Sequence, residues 1–313
     1  MPETPRPKRP VGGGYSYNMV PVPFAAAHRD EDLLMKLKPA NVVCLIVLLA
    51  ATPSFLSAAE YDVYLLAGQS NMDGRGKASE LTEEQRQPSD HAIIYYRNLP
   101  KSSDGWQPLA PGFSIAPGYK GEVPSSTFGP ELGFAHGMLQ AEPDRKLALI
   151  KGSKGGSSLR SDWKPGVMGE PKTQGQRYRD FVETIQMATQ ALSERGDRYT
   201  IRGLLWHQGE SDSQLASDDY EARLLQFVDR IRQDVGVPDL PVVVGEVFDN
   251  GKRDKVRAAI GAVGTRGAGF GLVTCEGTST WDEGTHFDAA SQWLLGERYA
   301  TAMLKIRTAN PNP

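Results

Sequence analysis

Two rhythms of apolar and polar positions alternate along residues 60–308. One is the short apolar run that stops abruptly at glycine or polar residues: 63–67 (VYLLA), 92–96 (AIIYY), 147–150 (LALI), 201–206 (IRGLLW), 240–248 (LPVVVGEVF) and 271–274 (GLVT). Runs of this length, rich in β-branched and aromatic residues, read as buried strands. The other rhythm places an apolar residue at every third or fourth position. It is clearest over 175–195, where Tyr178, Phe181, Val182, Ile185, Ala188, Thr189 and Leu192 form one stripe. Shorter versions over 128–139, 218–235, 252–263 and 288–306 predict four more helices. Pro130 suits the first turn of its helix, and Arg195-Gly196 is an ordinary helix end. Strands that alternate with helices predict an α/β, three-layer sandwich with a central parallel sheet. Without an internal repeat or an interior linker, 60–308 reads as one domain and 309–313 as a tail.

The first 59 residues follow neither rhythm. Residues 1–32 are rich in proline, glycine and charge. Met35-Lys-Leu-Lys38 then opens an apolar run at 42–51, and small residues follow at 57–59. A basic start, a run of about ten apolar residues and a small-residue end describe a secretory signal peptide, too short to span a bilayer. Residues 35–59 are therefore expected to be the signal, translation to start at Met35, and 1–34 to be an extension outside the true reading frame. The expected destination is the periplasm or the exterior, with no integral membrane contact. The two cysteines fit this: Cys44 lies inside the apolar run and Cys275 stays alone, leaving neither a disulfide nor a cysteine zinc site. A net charge of -3 gives no reason to expect nucleic acid as a partner. Oligomeric state leaves no mark in the sequence.

Polar residues gathered where a buried strand stops are delivered to the carboxyl edge of a sheet, where open α/β folds bind their ligands. Three segments do this. Gly68-Gln69-Ser70-Asn71-Met72 follows the first strand, so Ser70 reads either as a nucleophile or as a helix cap. His207-Gln208-Gly209-Glu210 follows 201–206. Asp282-Glu283-Gly284-Thr285-His286 precedes the last helix. Residues 151–158 (KGSKGGSS) lack the spacing of a phosphate-binding loop. The long Pro/Gly/Ser-rich stretch 98–127 reads as a cleft wall carrying Trp106, Phe113 and Tyr119, or as a plain surface insertion. Of the five histidines, His207 and His286 stand just past strand ends, and His286 has acids beside it.

The three segments, in this order and at domain-scale separation, resemble the SGNH hydrolases, and more narrowly the sialate O-acetylesterase and carbohydrate esterase family 6 (acetylxylan esterase-like) branch. The resemblance covers residues 61–306. It implies a flavodoxin-like fold, Ser70 as nucleophile and His286 as base, with no cofactor or metal. It also implies an oxyanion hole from the Ser70 N–H, the Gly129 N–H and the Gln208 side-chain amide. Gln69, Asn71, Gly156, Ser157 and His207 would line the substrate cleft, with Leu159 and Trp163 nearby. The family acid stands three residues before the histidine, which here is Glu283; Asp282 is one step further away, and Glu210 is a third option from another loop. The implied substrate is an O-acetylated sugar, of xylan or sialic acid type. Against it stand a non-catalytic glycan-binding module on the same fold and a secreted lipase or thioesterase. If the leader reading holds, N-terminal sequencing of the exported protein gives Glu60 or its neighbour as first residue. Recovery of residues 1–34 on the mature chain refutes it.

Overall fold

The computed structural model describes residues 58–115 and 126–309. The chain divides into a unit of residues 1–54, outside the described residues, and a unit of residues 55–313. The expected extension at 1–34, nearly all of the expected leader and Tyr119 therefore lie outside the description. In chain order the elements are β1 (Glu60–Gly68), α1 (Ser70–Asp73), β2 (Gly76–Lys77), α2 (Glu83–Arg86), β3 (Ser89–Asn98), β4 (Lys101–Ser102), β5 (Gln107–Leu109), β6 (Thr127–Phe128) and α3 (Glu131–Ala141). They continue with β7 (Lys146–Ser153), α4 (Gln176–Glu194), β8 (Arg198–His207), α5 (Ser217–Val235), β9 (Val242–Gly245), α6 (Asp254–Gly264), β10 (Phe270–Val273) and α7 (Ala289–Ala309).

The main sheet runs β10-β9-β8-β1-β7-β3-β4, and its strands from β10 to β3 are parallel. β1 lies at its centre, and its side chains alternate between two cores. Val63, Leu65 and Ala67 pack with α4, α5 and α6, while Tyr64 and Leu66 pack with α3 and α7. That period of two, apolar on both faces, is what a strand covered by helices on each side requires. The mostly parallel α/β sandwich is the architecture the two rhythms imply.

Two departures have physical reasons. The run 240–248 yields only the strand Val242–Gly245. Leu240 is held in a turn by a bond to Val237, and Pro241 has no N–H for the ladder; its carbonyl accepts from Leu204. In the stretch 98–127, β4 and β5 fold back antiparallel onto β3. Trp106 does not wall a cleft there. Its ring stands edge-on to Tyr95 at 5.6 Å and its indole N–H donates to the Ala188 carbonyl of α4 at 2.9 Å. Phe113 packs against the Tyr96 ring instead.

α3 and α7 approach backbone to backbone. A Cβ on Gly133 would lie 2.1 Å from the Trp293 carbonyl oxygen, and one on Gly296 would lie 2.3 Å from that of Pro130. Gly261, in α6, has open space around it. Gly296→Ala should therefore lower unfolding free energy by about 1–3 kcal/mol despite the better helix propensity of alanine. Gly261→Ala should raise it by up to ~1 kcal/mol. Urea titration of both variants checks the sign; equal midpoints would contradict the packing argument.

Candidate active site

β1 ends at Gly68 with φ 151°, and a Cβ there would sit 2.1 Å from the His207 carbonyl oxygen. Glycine lets the ends of β1 and β8 come together. The Gln69 N–H bonds that same carbonyl at 3.0 Å, and the chain turns into α1 with Ser70 as its first residue. Ser70 is only 4% exposed. Its Oγ lies 3.0 Å from His286 Nε2, and His286 Nδ1 lies 2.6 Å from Asp282 Oδ2. The imidazole and the carboxylate are 23% and 24% exposed, so the site opens to solvent on their side.

Asp282 is the acid that meets the imidazole. Its second oxygen accepts the N–H groups of Thr285 and His286, each at 2.8 Å. Burial works to raise this carboxyl, but those two donors and the imidazole hold it below the usual range. His286 is pushed down by burial, drawn back up by Asp282, and lowered further by the Arg75 and Arg253 charges. Glu283, the position implied by resemblance, points into solvent. The loop 280–287 closes through a bridge between Thr280 and Phe287, and this tight turn puts the residue four before the histidine, not three, beneath the ring.

Glu210 reaches Asn71 instead: the Asn71 amide donates to Glu210 Oε1 at 2.6 Å and to the Thr285 carbonyl at 2.9 Å. Asn71 Oδ1 accepts from Phe287 N at 3.2 Å. Asn71 is thus a clamp on both sides of His286 rather than part of a cleft lining. Arg253 adds a second clamp, donating to the Gly284 carbonyl at 2.9 Å and the Thr285 hydroxyl at 3.0 Å.

Other expected site residues turn inward. Gln69 Oε1 accepts from the Gln208 amide at 3.1 Å and from Ser211 N at 3.3 Å. The Gln208 amide nitrogen also donates to Asp212 at 2.7 Å and to the Ser157 carbonyl at 3.2 Å. With two N–H groups facing three acceptors, this buried amide is not aimed at an oxyanion. The Ser157 hydroxyl is held by Trp163 Nε1 and the Lys154 carbonyl, both at 2.7 Å. Leu159 and Trp163 are core residues, and Gly156 is the exposed tip of its loop. Gly129 N–H is bonded to the Glu131 carboxylate at 3.0 Å, and that buried carboxylate pairs with buried Lys151 at 2.8 Å.

The glycine beside the serine is Gly155, which motif reading passed over. A Cβ on it would lie 3.6 Å from Ser70 Cβ and 2.9 Å from Arg75 Nη2. The signal is in the strand register. Gly68 pairs with Ser153 across β1 and β7, so Gly155 and Ser70 are each two residues past the same rung. His207 is a structural residue, 1% exposed. The Tyr299 hydroxyl donates to the Trp206 carbonyl at 2.8 Å, so the 3.0 Å contact with His207 runs from Nδ1–H to the tyrosine oxygen. Burial alone pushes the His207 pKa down to about 3.

Residues 60–305 match the family model described as carbohydrate esterase, sialic acid-specific acetylesterase. The chain belongs to that family. The esterase is 25% identical over 258 residues to a probable carbohydrate esterase of Arabidopsis thaliana, covering 77% of this chain and 90% of the relative. Its fold is that of solved structures, among them a protein from Arabidopsis thaliana (TM-score 0.61, 22% identity, 78% of this chain and 98% of that one). NanS gives a TM-score of 0.59 at 17% identity, over 82% of this chain and all of that one. A carbohydrate acetylesterase from Xanthomonas citri gives 0.54 at 16% identity, over 80% of this chain and 57% of that one.

The neutral, buried His207 has a consequence for acid stability. Between pH ~6.5 and about 3 the unfolded chain binds a proton that the folded esterase does not, so the group contributes stability that is lost as pH falls through that window. His207→Gln should shrink the loss of unfolding free energy between pH 7 and pH 4.5 by about 2–3 kcal/mol relative to wild type. Parallel pH profiles in denaturant titrations would refute this.

Proposed function

We propose that the esterase is an exported serine carbohydrate O-acetylesterase that acts through an acyl-enzyme on Ser70. The observation that carries this is the continuous relay from Asp282 through His286 to Ser70, at 2.6 and 3.0 Å. A serine hydroxyl needs a base for its proton, and the base needs a carboxylate to hold its tautomer. Asp282 accepts the Nδ1–H, which leaves Nε2 bare and facing Oγ. Ser70 Oγ attacks the acetyl carbonyl carbon while His286 Nε2 takes the hydroxyl proton. The tetrahedral adduct collapses, the sugar oxygen leaves with that proton, and acetate remains esterified to Ser70. Water then enters and its oxygen attacks the acyl carbon while His286 takes one of its protons; the second adduct collapses by breaking the bond to Oγ, which takes that proton from His286, and acetate leaves. For the oxyanion hole the candidate donors are the N–H groups of Ser70 and of Gly155, on which a Cβ would lie 3.6 Å from Ser70 Cβ. Each such donor lowers the barrier by about 3 kcal/mol.

A small acyl group suits a serine this deeply set, and the partly exposed groups beside it, the His286 imidazole and the Asp282 carboxylate, are polar. That favours an acetylated sugar, of xylan or sialic acid type, over the long chain of a lipase substrate. The intact relay also speaks against a silent glycan-binding module. A chain-length series of p-nitrophenyl esters should show acetate preferred, and acetate release from acetylated xylan and acetylated sialosides identifies the sugar.

Ser70→Ala should abolish turnover with folding intact. Asp282→Asn should reduce kcat by a factor on the order of 10⁴, whereas Glu283→Gln should stay within about twofold. An equal loss in both acid variants would sink the assignment. Since His286 must be neutral to act as base and is held below its ordinary value, kcat/KM should rise with pH through an apparent pKa below 6.5 and be level by pH ~7. A rising limb centred above pH ~7 contradicts that environment.

A further inference from the structure

Two in-plane hydrogen bonds, at Nδ1 and at Nε2, hold the His286 ring by opposite edges. They leave one motion weakly held: rocking of the ring out of its own plane through the χ1 and χ2 torsions. The indole of Trp281 restrains it. The two rings lie nearly parallel, with an interplanar angle of 12° and centroids 5.5 Å apart. This stack is built by the loop itself. The Trp281 backbone N–H donates to the His286 carbonyl at 3.1 Å, next to the Thr280–Phe287 bridge, so the two side chains leave paired backbone positions in the same direction. Trp281 is half-buried, which shields that face of the imidazole from water.

An indole face carries negative quadrupole density and attracts a cation placed above it. The imidazole becomes that cation only when it has taken the serine or water proton. We propose that Trp281 is a positioning residue that locks the tilt of His286 and favours its imidazolium form, so that the stack strengthens as the transition state is approached. The inference rests on His286 as base. The other charges facing the ring are Asp282 on its own loop, Arg75 beyond α1 and Arg253 at the start of α6, and none of them is altered by a change at 281.

Three variants separate the contributions. Trp281→Phe keeps an aromatic face, Trp281→Leu keeps apolar cover without the quadrupole, and Trp281→Ala removes both. The direct measurement is an NMR titration of the His286 imidazole in the Ser70→Ala background, which does not depend on turnover. Loss of the cation–π attraction should lower the His286 pKa by about half a unit in the leucine variant and leave it nearly in place in the phenylalanine variant. In otherwise wild-type esterase, the acid limb of kcat/KM should move to lower pH by the same amount, and kcat should fall roughly three- to tenfold for leucine, with rescue by phenylalanine. An unchanged or raised pKa in Trp281→Leu overturns the proposal whatever the activity does, because a shield without a quadrupole would act in that direction. If Ser70→Ala alone retained activity, the base reading would fail while the titration still reported on the stack.

Discussion

A helix of four residues cannot hold itself in place. α1 has two backbone bonds of its own making, from Asp73 N to the Gln69 carbonyl and from Gly74 N to the Ser70 carbonyl, where an isolated helix needs several turns to survive in water. What fixes it is Asp73. This fully buried carboxylate accepts from Tyr96 at 2.9 Å, Asn98 at 2.8 Å and Ser153 at 2.9 Å on one oxygen, and from Arg75 at 2.8 Å and Ile115 N at 3.0 Å on the other. Lys151, itself buried, adds a bond to the Asp73 carbonyl at 2.7 Å and ends on Glu131 and the Phe113 carbonyl. Arg75 and Lys151 together keep the Asp73 carboxyl ionised against the burial that works to neutralise it. Such a cluster adds little net stability, but removal of one member would leave a charge without its partner, at a cost of about 3–5 kcal/mol. Its effect is on position: β3, β7, the start of α3 and the loop at 113–115 converge on the segment that carries Ser70.

The neighbours of Ser70 divide the work by direction. Asp73 and Arg75 tie the helix down to the sheet and the 98–115 segment. Gln69 reaches sideways to the loop after β8, and Asn71 reaches to the loop that carries His286. The segment from Gly68 to Gly76 is therefore dense in polar residues for a structural reason. Most of those side chains hold Ser70; they do not line the space in front of it.

This explains which parts were legible in the sequence. The pairing of Ser70 with His286 was implied by the motif resemblance, whereas the sandwich and the delivery of polar segments to one sheet edge follow from alternation and from where each apolar run stops. Those are backbone properties, and a period of two or 3.6 encodes them locally. Side-chain direction at a loop is not encoded that way. Gln69, Ser157, His207 and Gln208 stand in the motif segments, yet each turns toward a partner more than a hundred residues away or toward the core. The choice among Glu283, Asp282 and Glu210 depended on a backbone bridge, Thr280 to Phe287, that no spacing rule contains. Gly155 required the register of β7 against β1, and Gly129 was lost to a glutamate two residues further along its own chain.

The two histidines show how environment decides chemistry for one residue type. Both stand at the carboxyl edge, and both rings have Phe287 or Trp281 as an aromatic neighbour. His207 is sealed, donates a hydrogen bond to a tyrosine oxygen and has no carboxylate bonded to it among the described residues, so burial holds it in the neutral form well below its ordinary range. Its ring bonds Tyr299 of α7 at the end of β8. His286 is also depressed by burial, but a carboxylate behind it and partial access to water bring the cationic form within reach. A base must be neutral before the reaction and able to bear charge within it. Desolvation provides the first condition for both histidines, and only Asp282 provides the second.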